Sequence, residues 1–200
     1  VRHMLFLTSD LHLGHARINE LAGRPFDPVD EMNSALLSNW NDVVDPTDSV
    51  IVLGDFVMGK KDETLPLVEL LNGMIYLVPG NHDRVFPTDR QLAKWTPLYT
   101  AVGIRLLPAE LSFGPLTLSH FPFDGDSHGE DRYSECRPTD RGQLLLHGHV
   151  HESWKVRGRQ INVGVDVWDF APVEYDRLLA AYTIENENTD AERTRGSDTD

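Results

Sequence analysis

The apolar runs of this chain end, one after another, in aspartate, asparagine or histidine. Residues 4–8 lead into Asp10 and His12, residues 50–53 into Gly54-Asp55, and residues 74–78 into Pro79-Gly80-Asn81-His82-Asp83. Farther along, Leu116-Thr117-Leu118 leads to His120, and residues 143–146 lead to His147-Gly148-His149-Val150-His151. Runs of this length, bounded by glycine, suit buried strands. Amphipathic stretches lie between them. Residues 30–44 place Met32, Leu36, Leu37, Trp40 and Val44 near helical spacing, with Asp30 as the expected cap. Residues 63–71 read as a second helix that stops at Asn72-Gly73. Strands alternating with helices define an α/β fold. In such folds the ligand site lies beyond the carboxyl ends of the strands. Polar residues brought there by separate strands therefore imply one shared site.

The second half is richer in strands, expected at 102–107, 111–119, 143–146 and 160–167, with a final helix at 172–181. No repeat or interdomain linker interrupts the chain, so a single domain is expected over 1–184. The remainder, 185–200, carries six acids and two arginines and has almost no apolar residue, and is expected to be a disordered tail. Residues 121–141 follow His120 without clear periodicity and contain His128, Arg132, Tyr133, Arg137 and Arg141. An irregular stretch of this length in a small domain is usually functional or disordered. It is expected to act as a lid or specificity loop.

Composition removes several classes of function. The formal charge of −14 argues against a protein that grips nucleic acid through a broad basic face. Cys136 is the single cysteine, which excludes an internal disulfide and agrees with a reducing cytoplasm. No apolar stretch approaches the roughly 20 residues a membrane helix needs. Residues 1–8 are short and run straight into polar motif residues, and so read as a first strand in place of a signal peptide.

Taken singly, most of the polar clusters are ambiguous. Asp-x-His arises often by chance, Gly-Asp is a common turn, and His120 alone would read as a core histidine. Gly80-Asn81-His82-Asp83 presents three polar groups within one glycine-permitted bend. Gly148-His149-Val150-His151 sets two imidazoles on one face, while His147 is a candidate for the core or for a place behind the ligands. The ordered set Asp-x-His, Gly-Asp, Gly-Asn-His-Asp, His, Gly-His-x-His is far more specific. In it the sequence resembles the calcineurin-like metallophosphoesterase family. The resemblance runs from Thr8-Ser9-Asp10 through Asn162-Val163-Gly164-Val165-Asp166 to Pro172-Val173. The length is similar to that of the small bacterial and phage-encoded members, mycobacteriophage versions included.

The resemblance implies a four-layer αββα sandwich of two mixed sheets flanked by helices. It assigns Asp10, His12 and His151 to one metal and Asn81, His120 and His149 to a second, with Asp55 bridging both. Imidazoles, an amide and carboxylates suit two divalent ions, manganese first, with iron or zinc as alternatives. The implied reaction is attack on phosphorus by a hydroxide held between the ions, with His82 as general acid and Asp83 orienting the His82 ring. His15, Arg17 and Asn19 are candidates for phosphate contact or for a polar helix start, and Arg84 for substrate contact or an ordinary surface position.

Protein Ser/Thr phosphatases of the superfamily match poorly, because Asp55 is followed by Phe56-Val57-Met58-Gly59 with no arginine. The expected activity is that of a phosphodiesterase on small phosphodiesters such as cyclic nucleotides, with 2′,3′-cyclic nucleotides first. A nuclease, a phosphomonoesterase and a non-catalytic scaffold of the same fold remain as alternatives. Nucleic acid enters only as a substrate, and no membrane partner is expected.

Overall fold

Alternate residues of a strand face opposite sides of a sheet, and here the two sides bury different cores. In β1 (Leu5–Thr8), Phe6 packs into one cluster and Leu7 into another. In β2 (Ser49–Val52), Val50 and Val52 join the first cluster, while Ile51 packs against the second. β3 (Met74–Leu77) contributes Ile75 and Leu77 to the first cluster, and Val78 just beyond it to the second.

A computed structural model describes residues 3–126 and 132–196. β1 is followed by α1 (Ile18–Leu21) and α2 (Val29–Val43). After β2 come α3 (Lys61–Thr64), a 3₁₀ turn at Leu65–Leu70, β3, α4 (Leu92–Ala101) and β4 (Arg105–Leu106). The second half contains β5 (Glu110–Phe113), β6 (Leu116–Ser119), β7 (Leu144–His147), β8 (Val156–Arg157), β9 (Gln160–Asn162), β10 (Val173–Glu174) and α5 (Tyr175–Gly196).

The strands form two five-stranded mixed sheets, ordered β10-β1-β2-β3-β4 and β5-β6-β7-β9-β8. β1 to β4 run parallel and only β10 is antiparallel, while β6, β7 and β9 run parallel between antiparallel β5 and β8. Leu7, Leu53 and Val78 of the first sheet's side meet Leu118, Leu146 and Ile161 of the second, so the second cluster lies between the sheets. The first cluster lies under the helices: Met32, Leu36 and Trp40 form the buried stripe of α2, and Tyr99 of α4 joins them. Among the described residues no helix is long and apolar enough to cross a membrane.

Several local expectations are corrected. α2 starts at Val29, so Asp30 lies in its first turn, where its charge suits the helix dipole without a capping hydrogen bond. The single strand expected at 111–119 is the hairpin β5–β6, because Gly114 adopts a positive φ of 57° between the two strands. The helix expected at 63–71 becomes α3 and a 3₁₀ turn, with Pro66 at the start of the turn. The final helix does not end near residue 181. α5 continues to Gly196, so most of the segment expected to be a disordered tail is helical, in keeping with the helix-favouring glutamates, alanine and arginines it contains.

Candidate metal centre

The strand ends carry the site. Asp10 and His12 follow β1, Asp55 follows β2, Asn81 follows β3, His120 follows β6, and His149 and His151 follow β7. The two sheets therefore both contribute, and the Ser9–Gly164 bridge ties the end of β1 to the segment beyond β9. Asp10 (φ 57°), His12 (52°), Asp55 (53°), His149 (72°) and His151 (48°) all adopt left-handed backbone conformations. For a residue with a side chain this costs roughly 1–2 kcal/mol. Such strain persists only where surrounding contacts impose it, and it collects at functional sites. Here the main chain is pinned: Asp10 N–H donates to Gly54 O at 3.0 Å and His12 N–H to Asp55 O at 2.9 Å.

Close packing of the loops demands glycine at several places, Gly54 and Gly148 among them. A Cβ on Gly54, whose φ is 88°, would stand 2.6 Å from Gly80 Cα and 2.6 Å from His120 Nδ1. A Cβ on Gly148 would run into Ser9 Oγ and Asp10 Oδ2.

Metal-competent atoms gather in two groups, Asp10/His12/His151 and Asp10/Asp55/His120, buried except for the half-buried His151, with the atoms of each group within 4.8 Å of one another. Asp10 Oδ2 accepts from Ser9 Oγ–H at 2.7 Å and from His149 N–H at 3.0 Å. Its Oδ1 is buried without a hydrogen-bond partner, and so are both ring nitrogens of His12. Asp55 Oδ2 stands 3.6 Å from His12 Nε2 and 3.5 Å from His120 Nε2, between one ring of each group. His120 Nδ1–H donates to Leu53 O at 2.8 Å, which turns Nε2 toward Asn81 Oδ1 at 3.1 Å. Two acceptors face each other there unless a proton or cation stands between them. Orphaned buried polar atoms of this kind are costly unless they find a partner, and an oxygen and imidazole set of this chemistry fits divalent cations.

His149 is placed differently. Its Nε2 faces Asp126 Oδ2 at 3.2 Å, and it belongs to neither group of metal-competent atoms among the described residues. His151 Nδ1–H donates to Asp166 Oδ2 at 2.9 Å. His147 is fully buried with Nδ1 against Gly148 O, a core position.

The electrostatics follow from burial and crowding. Burial pushes the Asp10 carboxyl up, with the His151 and His120 charges opposing it. At Asp55 burial acts upward too, but His120, His82 and the His82 N–H together bring the group down. Burial holds His12 well below its usual range, and brings His149 down to about 4 and His147 to about 3. All three are neutral imidazoles at neutral pH, the form that binds metals.

Asp83 does not orient the His82 ring as expected. Its Oδ2 accepts from Asp55 N–H and Gly80 N–H at 2.8 Å each, and its Oδ1 from Phe56 N–H at 3.1 Å. The carboxylate clips the loop after β2 to the loop after β3 through these three amides. Burial, followed by the neighbouring Asp55 charge, raises its pKa to about 6. His82 is exposed, its backbone N–H donates to Asp55 Oδ1 at 2.9 Å, and its ring stands 5.6 Å from that of His12.

A cavity of about 210 Å³ opens over these groups, lined by His12, Asp55, Asn81, His82, His149 and His151, with His15, Ile18, Leu21, Arg132 and Glu152 around them. His15 is thus beside the site, whereas Arg17 and Asn19 do not line the cavity. Arg84 pairs with Asp89 at 3.4 Å outside it. Of the loop 121–141, Arg132 lines the cavity and the Tyr133 ring lies 5.7 Å from His149. Arg137 is held by Pro122 O and Arg132 O, and Arg141 is exposed. His128 lies outside the described residues. Sequence reasoning missed Arg24 and Asp126 altogether and gave Asp166 no role. Only the Asn162–Asp166 motif offered a signal for the last.

Two mixed sheets that deliver buried aspartates and histidines from their strand ends define an α/β sandwich with a site suited to metal ions. The chain belongs to the calcineurin-like phosphoesterase family, whose model matches residues 4–153. It is similar to the Gene 66 protein of Mycobacterium phage L5, 36% identical over 181 residues that cover 82% of this chain and 86% of the phage protein. The Gene 66 protein of Mycobacterium phage D29 is also 36% identical, covering 88% of this chain and 94% of its own length. Among solved structures, a protein of unknown function from Aquifex aeolicus, AQ665, superposes with a TM-score of 0.65 at 25% identity. That match covers 90% of this chain and all of the other. The phage-type resemblance and the two-sheet architecture read from the sequence are both met.

Proposed function

We propose that this metallophosphoesterase is a phosphodiesterase that acts on small phosphodiesters, with cyclic nucleotides, and 2′,3′-cyclic nucleotides first, as the substrates to test. The observation that carries the reading is the set of buried polar atoms without partners, Asp10 Oδ1 and both ring nitrogens of His12, beside two groups that meet at Asp10. Asp10, His12 and His151 would hold one ion, Asp55, Asn81 and His120 the other, with His149 joining the second by leaving Asp126. Manganese is the proposed metal, with iron or zinc as substitutes.

When bound, two divalent cations neutralise phosphate charge and lower the pKa of water. The protein's own residues do the rest. Imidazoles and carboxylates on strained, pinned loops would fix the ion positions before substrate arrives. His82 lines the cavity from its exposed side and would donate a proton to the leaving oxygen. Ile18 and Leu21 give the cavity an apolar wall and Arg132 a cation, a combination suited to an organic phosphate ester. A cavity of about 210 Å³ favours a small substrate over a polymer. The selectivity role of residues 121–141 rests on Arg132.

The test is to strip the metals, restore Mn²⁺, and compare hydrolysis of bis-p-nitrophenyl phosphate with that of p-nitrophenyl phosphate. Metal-dependent turnover favouring the diester is expected. Preference for the monoester would replace this reading with a phosphomonoesterase, and no turnover with metal bound would favour a non-catalytic scaffold.

A further inference from the structure

One buried ion pair lies behind the site without lining the cavity. Arg24 follows α1, and its side chain is wholly inaccessible, as is nearly all of Asp166 beside β9. Arg24 Nε–H donates to Asp166 Oδ1 at 2.7 Å, and Nη2–H to Asp166 Oδ2 at 3.0 Å. The same guanidinium donates from Nη2 to Asp10 O at 2.6 Å and from Nη1 to Leu11 O at 3.0 Å. Asp166 Oδ2 in turn accepts the His151 Nδ1–H at 2.9 Å.

These bonds reach the whole of the Asp10/His12/His151 group, and of the other group only Asp10, which the two share. Arg24 grips the carbonyls of Asp10 and of Leu11, the residue between Asp10 and His12, and through Asp166 it holds His151. Every member of the Asp10/His12/His151 group is thereby tied to one rigid fork. The other members of the second group, Asp55 and His120, take their restraints elsewhere, from Leu53 O at His120 and from the Asp83 clip at Asp55. Burying both charges costs several kcal/mol per ion before their attraction is counted. Apolar side chains could fill the same volume, but none could donate to two carbonyls and a carboxylate together. Fixing the proton on Nδ1 also leaves Nε2 of His151 with its lone pair, and a carboxylate behind an imidazole raises its strength as a ligand.

Resting on the dinuclear reading above, we propose that Arg24 and Asp166 are positioning residues that set the affinity of the metal position formed by Asp10, His12 and His151, far more than that of the second position. Asp166→Asn keeps shape and one acceptor but loses the charge that holds both Arg24 and the His151 proton. Arg24→Lys keeps a buried cation but loses the fork that satisfies three partners.

The experiment is calorimetric titration of the metal-stripped full chain with Mn²⁺, accompanied by denaturant unfolding. Wild type is expected to take up two ions. Asp166→Asn is expected to bind one of them roughly 10–100-fold more weakly, with the other within about twofold and unfolding still cooperative. Arg24→Lys is expected to weaken the same position, and provides the reading should Asp166→Asn fail to fold. Two ions bound with wild-type affinities in the folded variants would overturn the proposal, as would equal losses at both positions. A wild-type chain that binds no Mn²⁺ would instead overturn the dinuclear reading itself.

Discussion

Gly148 illustrates how a single side chain is forbidden by the site. An added methyl meets Ser9 Oγ and Asp10 Oδ2, both already committed to the Asp10 hydrogen bonds. Gly148→Ala is expected to destabilise the fold by about 1–3 kcal/mol, as overpacking does. Displacement of Asp10 should lower turnover by roughly 10²-fold, since an error of an ångström in position costs about that much. Denaturant unfolding and steady-state kinetics would measure the two. His82 makes the opposite case, exposed and reaching into the cavity with its ring. His82→Ala is expected to retain both metals while slowing esters with poor leaving groups by roughly 10²–10⁴-fold. Metal content measured beside kinetics decides this, and loss of metal in step with activity would sink the role. Gly148 and His82 were both legible in the sequence, because glycine beside histidine and histidine beside asparagine are local patterns. Asp83 was legible as a site residue but not in its task, since its partners Asp55 and Phe56 belong to another strand end.

Elements meet at the site through clips of this kind. Asp83→Ala would leave the amides of Asp55, Phe56 and Gly80 buried without acceptors, and an orphaned buried donor costs about 1–3 kcal/mol. A loss of about 3 kcal/mol or more is expected in denaturant unfolding, with weakened uptake of Mn²⁺ because the loops after β2 and β3 come apart. Lys61 offers a pH test at the start of α3. It is buried, its Nζ donates to Val57 O, and burial brings its pKa from 10.5 to about 8. The unfolded chain then holds this proton up to a higher pH than the folded chain. The contribution to stability is therefore present above 10.5 and is lost as the pH falls through 8. Lys61→Met is expected to be more stable than wild type at pH 7, by up to the order of 3 kcal/mol. The gap should close as the pH rises toward 10, which unfolding curves at several pH values would show. α4 escaped sequence reading because Pro97 sits inside it and no clean apolar stripe announces it.

At the scale of the whole molecule, the site joins the two sheets. Asp10 and Asp55 come from one sheet, and His120 and His151 from the other. Ions bound between them would tie the sheets together beyond the apolar core already between them. Each ion at a hundredfold excess over its dissociation constant adds about 2.7 kcal/mol. Chelation should therefore lower the melting temperature by roughly 10 °C or more for a chain of this size. Calorimetry with and without a chelator measures this, and an unchanged melting temperature would remove the ions from the fold. The net charge of −14 works in the same direction, since cations offset carboxylates gathered in one place.

The sequence by itself determined the α/β class, the family resemblance and the segments that bear the polar groups. Strand runs, helical spacing and motif order are properties of near neighbours, and near neighbours are what a sequence displays. Only the tertiary structure decided which atoms meet. It turned Asp83 from His82 toward three amides, set His149 against Asp126, and brought Arg24 to Asp166 across 142 positions of chain. Contacts of that span leave no periodicity to read. They arise where two sheets pack face to face and bury what their loops present.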